Sequence, residues 1–144
     1  MTDNPRAVPT RLLHTMLRIH DIERSLGFYC DGLRMREFRR ETFPEGKFTL
    51  IFIGYGDEAN HSVIELTHNW ESDTYTHGTG YGHIALEVPD VRQACARLER
   101  MGIEISRPAG PMSFAPLENG LRETIAFVTD PDGYRIELIE PRAA

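Results

Sequence analysis

The sequence predicts an α+β fold made of two copies of one β-α-β-β-β unit, and three observations predict it. His14-Thr15-Met16-Leu17-Arg18-Ile19-His20-Asp21-Ile22 reads H-x-x-L-x-I-x-D-I, and His83 to Val91 reads H-x-x-L-x-V-x-D-V at an offset of 69. Ile64-Glu65-Leu66 recurs as Ile136-Glu137-Leu138 at an offset of 72. In both copies the apolar period changes from two to about 3.6 just after an aspartate, the mark of a strand running into a helix. Such self-similarity calls for one supersecondary unit used twice.

Each element follows in order. Over 12–19, Leu13, Thr15, Leu17 and Ile19 share one strand face, while His14, Met16 and Arg18 share the other. Asp21 is an N-cap for a helix carrying Ile22, Leu26 and Tyr29 on one side. A weaker strand falls near 34–41. Phe48 to Ile53 is β-rich and stops at Gly54-Tyr55-Gly56, and Ser62 to Thr67 follows at once, so the two pair as a hairpin. The stretch 69–81, rich in Thr, Gly and Asp, reads as a linker. The second copy opens with a strand over 83–88, where Ile84, Leu86 and Val88 alternate with His83, Ala85 and Glu87. Asp90 caps a helix with Val91, Ala94, Cys95, Leu98 and Met101 on one stripe, closed by Gly102. After a weaker strand near 103–107, the aperiodic, proline-bearing stretch Pro108 to Leu121 reads as a long loop. Thr124 to Val128, a turn at Asp130-Pro131-Asp132-Gly133 and Tyr134 to Ile139 complete the unit. The modules are therefore 11–68 and 82–144, one domain over 11–141, with residues 1–10 expected as a loose, disordered tail.

Composition limits what the chain does. At 144 residues, 40% hydrophobic and 26% charged, it is an ordinary globular protein long enough to bury a core. A net charge of -6 and the lack of a basic cluster exclude a nucleic-acid footprint, since Glu37 and Glu41 interrupt the run Arg36, Arg39, Arg40. No apolar run reaches the ~20 residues that span a bilayer. The opening residues lack the apolar segment of a secretory signal. Cys30 and Cys95 fall in expected helices and imply no disulfide framework, so a reducing cytoplasm is the expected compartment.

Parity singles out four residues. His14 lies opposite Leu17 and Ile19, Glu65 opposite Ile64 and Leu66, His83 opposite Ile84 and Leu86, and Glu137 opposite Ile136 and Leu138, so each leaves the helix-covered face. A single strand histidine is more often a surface or core residue than a ligand. A histidine and a glutamate repeated together at nearly equal spacing point instead to a pseudo-symmetric metal site. His20, His61, His68 and His77 have no counterpart in the other copy. Two imidazoles and two carboxylates, without thiolate, suit a borderline divalent ion and disfavour a structural zinc site. Four protein ligands on an octahedral ion leave two positions for water or substrate, a catalytic arrangement.

Four motifs in order, Arg11 to Arg18, Val63 to Trp70, Tyr81 to Leu86 and Asp130 to Glu140, resemble the glyoxalase I (lactoylglutathione lyase) family of the vicinal oxygen chelate superfamily. The resemblance implies paired modules closing an incomplete barrel in a homodimer, with His14 and Glu65 of one subunit meeting His83 and Glu137 of the other. It implies isomerisation of the methylglyoxal–glutathione hemithioacetal to S-D-lactoylglutathione through an enediolate. Glu137 is implied as the base, Glu65 as ligand and second base, and Arg18 and Asn69 as holders of glutathione. The short 69–81 linker resembles nickel- or cobalt-activated members more than zinc-dependent ones, which puts zinc second. Two departures stand out: Arg34 where the family commonly has glycine, and a longer loop over 111–122. The same superfamily includes extradiol dioxygenases, thiol transferases and non-catalytic small-molecule-binding proteins. A fourth protein ligand weighs against the dioxygenase, and retained metal ligands weigh against a pure binder.

Overall fold

Strand–helix junctions are set where aspartate side chains take over the first backbone donors. β1 (His14–Ile19) ends two residues before Asp21, whose carboxylate accepts from Arg24 N at 3.0 Å and starts α1 (Ile22–Leu26). In the second copy β5 (Ile84–Glu87) ends before Asp90, which accepts from Gln93 N at 3.0 Å and starts α2 (Val91–Arg100). Gly102, at φ +80, follows α2 as expected of a helix-terminating glycine. The remaining strands are β2 (Arg36–Phe43), β3 (Phe48–Gly54), β4 (Val63–Asn69), β6 (Ile105–Pro111), β7 (Thr124–Thr129) and β8 (Arg135–Ile139). The computed structural model describes residues 4–71 and 74–141. Parts of the expected tail (1–3), linker (72–73) and second module (142–144) lie outside the described residues.

Both copies give a four-stranded mixed sheet of the same order, β1-β4-β3-β2 and β5-β8-β7-β6, whose first pair is parallel and whose others are antiparallel. The helix-covered faces of both sheets feed one hydrophobic cluster. Leu17, Ile19, Ile51, Ile53, Ile64 and Leu66 of the first sheet join Ala126, Val128, Ile136 and Leu138 of the second around Tyr29, Val91, Cys95 and Leu98.

Several local expectations change. The first helix does not stop at Leu26 but loosens into a π-helical turn, Gly27–Gly32, which buries Phe28 and Tyr29. Arg34 keeps the turn that a glycine would make by taking a left-handed backbone, φ 62. β4 runs on to Asn69, so that residue belongs to the sheet and not to the linker. The expected loop from Pro108 begins as strand, because β6 is an edge strand, where proline's missing N–H is tolerated. There Arg107 donates to the carbonyls of Pro108, Gly110, Pro111 and Ile125 at 2.7–3.1 Å, holding a stretch with two register shifts. Leu13 stays 56% exposed, while Leu17 and Ile19 on the same face are buried. In the expected loose tail, Pro5–Ala7 form a 3-10 turn capped by Asn4.

The β7–β8 turn locks the two modules together. Tyr29, fully buried in the first module, donates its hydroxyl to Asp130 Oδ2 at 2.7 Å. Asp130 Oδ1 accepts from the amides of Asp132 and Tyr134 at 2.8 Å each. Asp132 in turn accepts from His20 N at 3.0 Å, and Tyr134 donates to Arg18 O at 2.9 Å. Burial raises the Asp130 carboxyl above the usual range, and the donors from Tyr29, Tyr134 and Asp132 oppose that rise. Burial, then the Asp130 charge, pushes the Tyr29 phenol well up, so it stays a donor. On the helix side, Arg97 of α2 donates to Gly32 O at 2.6 Å and Asp31 O at 3.0 Å.

Candidate metal centre

The four residues singled out by parity come together as two matching pairs. In the first sheet, Met16 lies opposite Glu65, so His14, two residues earlier on the same face, is its diagonal neighbour. His14 Nε2 lies 3.3 Å from Glu65 Oε1. In the second sheet Ala85 lies opposite Glu137, and His83, just before β5, takes the same diagonal place. Its Nε2 lies 3.0 Å from Glu137 Oε1. Both carboxylates are sheltered while both imidazoles are about one-third exposed, so each pair opens on solvent.

A phenylalanine backs each pair, and sequence reasoning missed both. Phe52 pairs with Glu65 and Phe127 with Glu137 across the neighbouring strand. Their rings meet His14 and His83 edge-on, at 5.6 Å and 78° and at 5.1 Å and 77°. An arginine lies over each ring, Arg39 at 3.6 Å from the Phe52 centroid and Arg135 at 4.4 Å from that of Phe127. The signal was present: two phenylalanines at an offset of 75 on strands that parity already faced toward the histidines.

The donor set fits a divalent ion as two halves. Each half offers one imidazole nitrogen and one carboxylate oxygen within 3.3 Å of each other, and neither holds a thiolate. Among the described residues of one chain, no group of three or more ligand side chains comes together. The shared core explains why: the helix-covered faces meet inside, which turns both His–Glu faces away from it. An apolar cleft of about 430 Å³, bordered by Leu12, Val63, Ile84 and Leu86, runs between the β1 and β5 edges and includes none of the four.

Arg18 and Asn69 extend the first pair along its sheet. Arg18 lies opposite Thr67, two residues before Asn69, repeating the diagonal of His14 and Glu65 further along the same face. At ~3.3 Å per residue, Arg18 lies about 13 Å along the strand from His14. Arg18 is exposed, and Asn69 Nδ2 donates to Tyr75 Oη at 3.0 Å. The histidines without a counterpart lie outside both pairs. His20 meets Asp132, and His77 stacks on Tyr134 at 4.2 Å. Among the described residues His68 Nδ1 is buried with no hydrogen-bond partner.

Comparison with known proteins identifies relatives of the chain and of its fold. The profile of the Glyoxalase/Bleomycin resistance protein/Dioxygenase superfamily matches residues 11–138. A lactoylglutathione lyase of Neisseria meningitidis serogroup A is 51% identical over 133 residues, covering 92% of each chain. One from Escherichia coli O157:H7 is 49% identical over 134 residues, covering 93% of this chain and 95% of the relative. Among solved structures, the trypanothione-dependent glyoxalase I of Leishmania major superposes with a TM-score of 0.76 at 41% identity, covering 92% of this chain and 87% of that one. Glyoxalase I from Zea mays gives a TM-score of 0.80 at 34% identity; 93% of this chain is covered, but only 46% of the maize chain.

Proposed function

The chain belongs to the glyoxalase superfamily and, within it, to the glyoxalase I (lactoylglutathione lyase) enzymes, and from that premise we propose how its residues carry the reaction. The substrate is the hemithioacetal of methylglyoxal and glutathione, and the product is S-D-lactoylglutathione. One observation carries the reading: two equivalent His–Glu half-sites, each held by the same register on matching sheets.

Two copies of the chain complete the centre, His14 and Glu65 of one subunit joining His83 and Glu137 of its partner. The paired sheets then form an incomplete barrel. The exposed apolar residues Leu12, Leu13 and Met16 at the open end of β1 support such an association. A divalent ion held by these four would stabilise the negative charge that develops on the substrate oxygens. We put nickel or cobalt first and zinc second, on the thiolate-free donor set and the short linker.

The protein residues do the rest. Glu137 takes the proton from the carbon bearing sulfur and returns it to the neighbouring carbonyl carbon. The hydroxyl proton of the first carbon passes to the oxygen of the second, so the first carbon becomes the thioester carbonyl and the second an alcohol, with atoms and electrons balanced and no co-reactant. Glu65 serves as ligand and second base. Phe52 and Phe127 hold the imidazole edges and keep water from behind them. The Arg18 guanidinium, a fork suited to carboxylate, and Asn69 bind the far end of the thiol. Free Cys30 and Cys95 support a reducing, cytoplasmic compartment.

Metal-free protein supplied with methylglyoxal and glutathione tests the proposal. Adding nickel, cobalt or zinc should produce thioester absorbance, with nickel or cobalt fastest. No thioester with any of the three would refute it.

A further inference from the structure

The two half-sites match in histidine, glutamate, phenylalanine and register, but they differ at the next position along the face. Two residues beyond Glu65 stands Thr67; two residues beyond Glu137 stands Ile139. Thr67 Oγ1 donates to Glu65 Oε2 at 2.8 Å, while Glu65 Oε1 faces His14, so both oxygens of Glu65 are engaged. Glu137 Oε1 faces His83, but among the described residues Oε2 has no hydrogen-bond partner, and Ile139 has no donor to give. We propose that Thr67 is a positioning residue that fixes Glu65 as a stationary ligand, which sets aside its second-base role, and that Ile139 leaves Glu137 free to swing and carry the proton. This rests on the reading of the preceding subsection and adds the device that makes two equivalent carboxylates unequal.

The chemistry supports it. A hydroxyl bond to a carboxylate is of the strong, charge-assisted kind. Thr67 is nearly buried, and its β-branched side chain has few alternative rotamers, so Glu65 would lose a well-aimed bond by moving. Among the described residues no hydroxyl bond opposes movement of Glu137.

Three variants test this, each read by nickel affinity through competition with a chelating dye and by kcat and KM. T67V keeps the shape and removes the hydroxyl; nickel binding should weaken about tenfold or more, as is usual when a partner of a ligand is removed. T67S, which restores the hydroxyl, should recover most of that loss. I139T gives Glu137 the same tether, so kcat should fall about tenfold with KM and nickel affinity held. Melting curves establish that each variant folds. A T67V that binds nickel like the wild type overturns the inference, as does a T67S as weak as T67V or an I139T with normal kcat. Those results with an active, nickel-binding wild type refute the inference alone. A wild type that neither binds nickel nor makes thioester refutes the functional reading beneath it.

Discussion

If each active centre is assembled from halves of two chains, damaged chains should repair one another in a calculable way. Consider H14A, which breaks the first half-site, and H83A, which breaks the second. Each variant alone places one broken half in both of its centres and should be nearly inactive. In a mixed dimer one centre receives both broken halves, while the other receives His14 and Glu65 from one chain and His83 and Glu137 from the other. That centre is intact. Random pairing of equal amounts makes about half of the dimers mixed, so recovered activity should approach about a quarter of wild type. The figure follows from the geometry, because a single chain brings together His–Glu pairs at 3.3 and 3.0 Å but no larger ligand group among its described residues. The variants would be unfolded together, refolded and assayed by thioester formation, with mixed dimers counted by native mass spectrometry of tagged chains. Mixed dimers without recovered activity would refute the shared centre.

Two further substitutions address the base and the module contact. E137Q preserves shape and removes the proton acceptor, so kcat should fall about 10²–10⁴-fold with the fold intact by melting; near-normal turnover would refute the assignment. Y29F removes the buried donor to Asp130 and should cost about 1.5–3 kcal/mol. Because the folded-state Asp130 carboxyl is raised, its contribution is fully present below the unfolded value of 3.8 and is lost as pH rises through the folded value. The Tyr29 bond limits that loss, so Y29F should lose more stability at about pH 7 than at about pH 4 in urea unfolding. Equal losses at both pH values would refute the role given to this bond.

Local physics made much of this protein legible. Period-two alternation alone put His14, Glu65 and Glu137 on the helix-free faces, and the paired register bears that out. The two aspartate caps and the Asp130–Gly133 turn also depend only on near neighbours, and they form as expected. What escaped depends on distant partners. The Tyr29–Asp130 bond joins residues 101 apart, which no local pattern reveals. The early part of the supposed loop is strand, with Arg107 bonded to four carbonyls that its neighbours in sequence do not announce. The π-helical turn answers the need to bury Phe28 and Tyr29 on the shared core, again a tertiary demand. Phe52 and Phe127 were readable by offset, but their place behind the imidazoles required the folded sheets.

The single apolar interior formed by both copies has a thermodynamic corollary. Among the described residues both repeats share one buried cluster, so half of the chain expressed by itself would leave the inner side of its sheet wet. The duplicated halves are thus bound to melt as one cooperative unit.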